Sequence, residues 1–174
     1  MALPIVTYPD KRLKERSAEV TAFDDTLHKL LDEMYDTMIV SNGIGLAAIQ
    51  VAHPIRALII NLADDEGNQH KEELLEIINP VITASEGTTF YQEGCLSVPG
   101  FYEDVDRFEK VTLRYQDRHG SEHTIEADGL LSVAIQHEMD HLEGKLFIEK
   151  LAYARRKKFE KEYKKLQKQK KTSA

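Results

Sequence analysis

Leu130-Leu131-Ser132-Val133-Ala134-Ile135 is apolar nearly all round and runs without a break into Gln136-His137-Glu138-Met139-Asp140-His141. A helix with apolar residues on every side belongs in a core. The two histidines and the glutamate must then be carried into the interior with it. Residues four apart on a helix sit roughly 40° apart around the axis and about 6 Å along it. His137 and His141 therefore share one face, a turn apart, where two imidazoles can grip one metal ion. Glu138 lies about 100° round from His137, beside such an ion without being a ligand, as a general base would be. Buried imidazoles cannot rely on water for their polar needs, which favours a metal over an incidental histidine pair. A hydrogen-bonded core network is the alternative.

The remaining segments place this helix. Asp24 or Asp25 can cap a helix whose Leu27, Leu30, Leu31, Met34 and Met38 follow the i, i+3, i+4, i+7 pattern, with Asn42-Gly43 as its stop. Residues 1–22 form an irregular or partly helical lead-in, with Tyr8-Pro9-Asp10 a turn. Residues 56–62 read as a buried strand. Residues 74–79 and 81–84 read as two strands or one strand bent at Pro80, and 88–92 as another. Residues 111–115 and 122–127 read as a hairpin around Arg118-His119-Gly120-Ser121. The helix begins after Asp128 and stops at Gly144. The fold class expected is α+β, with mostly antiparallel strands packed around the central H-E-x-x-H helix and a further helix at the C-terminus.

Composition narrows the setting. No apolar run approaches the ~18 residues of a membrane span, and the N-terminus lacks the pattern of a secretory signal. The expectation is a cytoplasmic protein without a membrane role. From Lys150 to Lys171 there are eleven Lys/Arg and two Glu, a net of +9, whereas the rest of the chain nets −16. An acidic body with a basic tail points to an anionic partner for the tail. In that tail Phe159, Tyr163 and Leu166 form a narrow apolar stripe.

The one cysteine, Cys95, rules out an intrachain disulfide. A thiolate is a strong ligand for zinc or ferrous iron. Cys95 with His137 and His141 makes a three-ligand set, leaving a position open as a catalytic site requires. Gly43-Ile44-Gly45-Leu46-Ala47-Ala48-Ile49-Gln50 allows close backbone approach. It reads either as a tight turn into a strand or as the edge of a cleft. The other histidines (His28, His53, His70, His119 and His123) read as surface residues.

Three blocks, G-I-G-L-A-A-I-Q at 43–50, E-G-C-L-S at 93–97 and Q-H-E-M-D-H at 136–141, resemble the peptide deformylase family in order and spacing. The resemblance extends over nearly the whole chain, including the basic C-terminal helix of bacterial members. It implies a catalytic domain over residues 1–150, with 151–174 as a basic helical extension of the same domain. It implies a metal-dependent hydrolase that removes the N-formyl group from the N-terminal methionine of nascent polypeptides and releases formate. Cys95, His137 and His141 would be the ligands and Glu138 the acid/base. The side-chain amide of Gln50 and the backbone N–H of Leu96 would receive the oxyanion, and the backbone of Gly45 would hold the peptide. Fe2+ is the metal the resemblance implies, with Zn2+, Ni2+ or Co2+ able to substitute.

Glu93 and Asp140 are candidate partners of the histidines, with Arg107 their counter-ion; surface or structural ion pairing is the alternative for all three. Ile44, Tyr91, Leu130, Val133 and Ala134 are candidates for the methionine pocket. A monomer is expected, and the resemblance further implies a tail that docks near the ribosomal exit tunnel. Two other readings exist. One is an H-E-x-x-H zinc metallopeptidase, which would take its third ligand downstream, where Glu143 and Glu149 are available. The other is a non-catalytic ribosome-binding protein.

Overall fold

A computed structural model describes residues 1–172; residues 173–174 of the expected tail lie outside the described residues. Helix α1 spans Asp25–Val40, followed by strands β1 (Gly45–Ala47), β2 (Ala57–Ile60), β3 (Leu75–Glu86), β4 (Thr89–Cys95), β5 (Val98–Arg107), β6 (Lys110–Gln116) and β7 (Glu122–Asp128). Helix α2 (Gly129–Leu142) and helix α3 (Tyr153–Thr172) complete the chain. Short 3₁₀ turns at Lys11–Lys14, Ala48–Val51, Lys71–Glu73 and Phe147–Lys150 join them. Every strand pairing is antiparallel. Five strands form one sheet in the order β1-β2-β3-β6-β7, and β4 and β5 form a separate hairpin. The α+β class expected from the sequence is the one observed.

The large sheet lies between two helices. All four residues of β2 are buried. Successive side chains of a strand point to opposite faces: Ala57 and Ile59 pack with Leu27, Leu31, Met34 and Met38 of α1, and Leu58 and Ile60 with Ala134, Ile135 and Leu142 of α2. Asp24 caps α1, its carboxylate accepting the Leu27 N–H at 3.2 Å. Asn42, at φ 59, ends the helix where Asn-Gly was expected to.

Pro80 bends β3 but does not end it. The register shifts between Ile78 and Val81, with Asn79 at φ 51. The Asn79 side chain holds the bend by pairing with both the N–H (2.9 Å) and the carbonyl (2.8 Å) of Val20. Proline cannot donate to a ladder, and a bulge is where a strand tolerates it. Strand β5 has no counterpart in the sequence reading. Its Glu103, Asp104 and Asp106 are poor strand formers, and pairing with β4 overrides that preference.

The C-terminal stripe is part of the core. Phe159 and Tyr163 are buried against Val6, Leu13, Val98, Val105 and Phe147, while Leu166 is half-buried. The exposed face of α3 carries Lys161, Lys164 and Lys165. Among the described residues, no helix is long and apolar enough to cross a membrane.

Candidate metal centre

Helix α2 delivers His137, Glu138 and His141 into the interior, and all three are buried. The two imidazoles lie 5.2 Å apart, centroid to centroid. The β4–β5 turn brings Cys95 onto them, with its Sγ 3.4 Å from Nε2 of His141. Ligand atoms from Cys95, His137 and His141 all lie within 4.8 Å of one another, a group able to coordinate one metal ion. Of the two downstream carboxylates open to the metallopeptidase reading, Glu143 pairs with Arg56 at 2.7 Å and with Arg16 at 3.2 Å, and Glu149 is exposed; neither joins the cluster.

The chemistry of the donors fits a cation. Burial would lower the pKa of His137, but hydrogen bonds to Cys95 and Glu93 outweigh it and raise the value well above normal. For His141, burial and then the charges of His137 and Arg107 push the pKa well down. Positive charge is thus favoured at one spot between a thiol and two imidazoles. A single divalent ion would satisfy all three donors there. Nδ1 of His137 donates to Glu93 Oε1 at 2.8 Å, which leaves Nε2 for the cluster.

Glu93 is in turn held by Arg107, whose Nε and Nη2 donate to its two oxygens at 2.9 and 2.8 Å. The expectation for Glu93 and Arg107 holds. Asp140 departs from it, because it meets neither imidazole. It accepts from Arg107 Nη1 at 2.6 Å and lies 3.8 Å from Lys150 Nζ. Its helical position turns it away from the histidine face toward the hairpin. The surface reading of the other histidines holds for His53, His119 and His123, which are exposed. His70 keeps a side chain that is 43% exposed, and His28 is the more covered, its Nε2 reaching the Arg118 carbonyl at 2.8 Å.

Glu138 faces the cavity with Oε2 buried and without a hydrogen-bond partner. Its pKa is pushed up to about 7, chiefly by burial and further by the charges of Glu93 and Asp140, against the pull of His137 and Arg107. A carboxyl near neutrality can both take and return a proton. Gly45 backs onto it: a Cβ there would lie 3.0 Å from Glu138 Oε1 and 3.1 Å from Cγ.

The Gly43–Gln50 block forms a three-residue strand, β1, followed by a 3₁₀ turn, and it also edges the cleft. Gln50 is buried. Its Oε1 accepts the Ala47 N–H at 2.9 Å, which aims Nε2 at Ser97 Oγ (3.1 Å) and Cys95 Sγ (3.4 Å). Ser97 is a partner that the sequence reading did not single out, although it ends the E-G-C-L-S block. Leu96 occupies the first position of the two-residue turn between β4 and β5. No internal acceptor takes its N–H among the described residues.

A cavity of about 440 Å³ opens over these groups, and Ile44, Tyr91, Leu130, Val133 and Ala134 all line it. Its polar floor and apolar wall suit a substrate with one reactive polar end and an apolar side chain.

The polypeptide deformylase family model matches residues 2–157. The peptide deformylase of Wolinella succinogenes is 62% identical over 165 residues, covering 95% of this chain and 97% of that protein. Among solved structures, the peptide deformylase of Legionella pneumophila superposes with a TM-score of 0.87 at 40% identity, covering 96% of this chain and 98% of that one. The class I type b enzyme of Acinetobacter baumannii, bound to Met-Ala-Ser, gives 0.80 at 31% identity, covering 87% and 99%. These matches run the length of the fold and take in the helix, the hairpin turn and the glycine-rich edge that meet at the metal centre, so the chain belongs to the polypeptide deformylase family, metal-dependent hydrolases that remove the N-formyl group from nascent polypeptides.

Proposed function

We propose that Cys95, His137 and His141 hold Fe2+ as the native metal and that Glu138, Gln50, Leu96 and Gly45 carry the deformylation of N-formylmethionyl peptides. The observation that carries this reading is the convergence of one thiol and two imidazoles beside a buried, unpartnered carboxylate oxygen at the floor of an apolar-walled cavity. The bound ion would supply Lewis acidity, polarising the formyl carbonyl and lowering the pKa of a water toward neutrality.

The chain's own groups do the rest. Glu138 takes the proton from the attacking water and returns it to the departing amine. The Gln50 Nε2 and the Leu96 N–H receive the oxyanion as the formyl carbon becomes tetrahedral; one such donor is typically worth about 10²–10³ in rate. Among the described residues, strand β1 pairs only with β2. Its other edge leaves Gly45 able to hydrogen-bond an extended peptide, and the lack of a side chain keeps that approach open. The methionine side chain enters the pocket formed by Ile44, Tyr91, Leu130, Val133 and Ala134. Met-Ala-Ser in the A. baumannii structure supports a peptide with N-terminal methionine as the occupant.

The enzyme acts in the cytoplasm, and as a monomer, the latter supported by one chain supplying every group named. Residues 1–150 form its catalytic domain and 151–174 a basic extension. The charged face of α3 docks it near the ribosomal exit tunnel, a reading supported by the separation of lysines from the buried stripe. The test is formate release from formyl-Met-Ala-Ser by protein purified without oxygen, with metal analysis of the same sample. Iron together with formate release and no internal cleavage is expected. A metal-loaded protein that releases no formate would refute the assignment of the site. Nickel-loaded protein should outlast the iron form in air, because oxygen attacks ferrous iron and its thiolate ligand.

A further inference from the structure

The two groups proposed to receive the oxyanion belong to separate parts of the chain. Gln50 lies in the turn after β1, and Leu96 lies in the β4–β5 turn of the other sheet, beside Ser97, which is 47 residues from Gln50. Their relative position cannot come from local geometry. The N-terminal segment supplies it. The Val6 N–H donates to the Gln50 carbonyl at 2.7 Å, and two residues on the Tyr8 N–H donates to the Ser97 carbonyl at 2.7 Å. One short stretch thus reaches both loops.

The segment is itself fastened. Val6 is buried in the third core cluster. The Tyr8 ring packs 5.5 Å from Phe159 and 5.1 Å from Tyr163, centroid to centroid, and the Tyr163 hydroxyl donates to the Tyr8 carbonyl. On the cavity side, the Gln50 Nε2 donates to Ser97 Oγ and closes the ring of contacts.

We infer that Val6–Tyr8 is a positioning strap that sets the distance between the Gln50 and Leu96 donors through backbone hydrogen bonds to Gln50 and Ser97. The inference rests on the reading of those two groups as oxyanion donors. Donor placement counts most in the transition state, where charge has developed on the oxygen. A displacement of about 1 Å can cost on the order of 100-fold. Loss of one strap bond, with the other retained, should lower kcat about tenfold and leave KM nearly unchanged.

The test replaces single backbone amides with esters. Valine or tyrosine is exchanged for its α-hydroxy acid at position 6 or 8, deleting the N–H and keeping the side chain. An ester at position 13 is the control, because it deletes the Leu13 N–H bond to the Asp10 carbonyl (3.2 Å) in the neighbouring turn. Each protein is assayed for kcat, KM, metal content and unfolding midpoint with formyl-Met-Ala-Ser. Expected is a roughly tenfold fall in kcat at 6 and 8 with metal retained, and a kcat within about twofold of wild type at 13 despite a comparable loss of stability.

The position-6 ester is also combined with Gln50→Met. Because both act on one donor, the ester should have little further effect there, whereas a merely structural role would be additive. An undiminished kcat in the esters, an equal loss at position 13, or full additivity would overturn the strap. Gln50→Met separates the two readings. If it keeps wild-type kcat, the donor assignment fails and the strap with it. If it loses kcat by tenfold or more while the esters do not, only the strap fails.

Discussion

Replacing Arg107 with methionine tests how the metal centre is held. The guanidinium is 2% exposed and lies between Glu93 and Asp140. The substitution deletes two hydrogen bonds to Glu93 and one to Asp140. Asp140 keeps Lys150 and is one-fifth exposed, so its loss is small. Glu93 is 5% exposed and is left as a buried carboxylate with only the imidazole of His137. Removing one partner of a buried ion pair costs about 3–5 kcal/mol, a large part of a domain's total of about 5–15.

The pH dependence has a definite sign. Burial would raise the Glu93 pKa, but hydrogen bonds from Arg107 and His137 outweigh it and hold the value below normal. A depressed folded-state pKa stabilises above the unfolded value and is lost as pH falls through the folded one. In the variant, burial is no longer outweighed to the same degree and Glu93 protonates more readily. The deficit should therefore be greatest near neutrality and narrow toward about pH 5. Urea unfolding of metal-free wild type and variant at both pH values measures it. Metal affinity should also fall about 10–100-fold as His137 loses its oriented partner. A deficit under about 1 kcal/mol near neutrality would refute the claim that Glu93 depends on Arg107.

Glu138→Gln should lower kcat about 10²–10⁴-fold with metal content unchanged; in the wild type, activity should fall as pH drops and Glu138 protonates, with the acid limb at or below about 7 because a bound cation opposes the effect of burial. Gly144→Ala should destabilise by more than about 2 kcal/mol in denaturant titration, since Gly144 sits at φ 73 and a Cβ would lie 2.3 Å from the Lys14 carbonyl oxygen. Truncation after Leu151 should lower the unfolding midpoint, because it strips Phe159 and Tyr163 from a buried cluster. Reversing the charge of Lys161, Lys164 and Lys165 should spare that midpoint and the turnover of a short formyl peptide while weakening salt-sensitive ribosome binding, as measured by co-sedimentation; unchanged binding would count against the docking proposal.

What the sequence discloses here follows from how local its causes are. The helix α1 stripe, its Asp24 cap and the Asn42 stop are written within one or two turns, and the structure matches them. The H-E-x-x-H spacing fixes the histidine face by helix geometry alone. Strand β5 was not legible, because its acidic residues speak against a strand and only its pairing with β4 makes it one. For Asp140 the sequence leaves a histidine partner and an ion pair both open, because it gives the angle around α2 but not what lies opposite; the structure shows the ion pair. Ser97 and the Val6–Tyr8 segment were missed for a further reason: their contribution is made through backbone groups or through a partner some 47 residues away, and residue identity does not report either.

The arrival of Cys95 at the metal centre has a local cause that the network around it explains. A neutral imidazole has two nitrogens, and buried, each needs a partner. His137 gives Nδ1 to Glu93. Glu93, buried and charged, needs a cation and has Arg107 across the hairpin. Arg107 has donors to spare and returns one to Asp140, three residues after His137 on the same helix. The polar chain thus leaves α2, crosses β4 and β5, and comes back to α2, pinning the hairpin against the helix at one angle. With Glu93 fixed against His137, Cys95 two residues on lies beside the same helix, just past the register shift of the hairpin between Gly94 and Cys95, and its sulfur meets Nε2 of His141 one turn further on. The ion pair therefore does more than orient one histidine. It sets the register in which a thiol from a two-stranded hairpin joins two imidazoles from a helix.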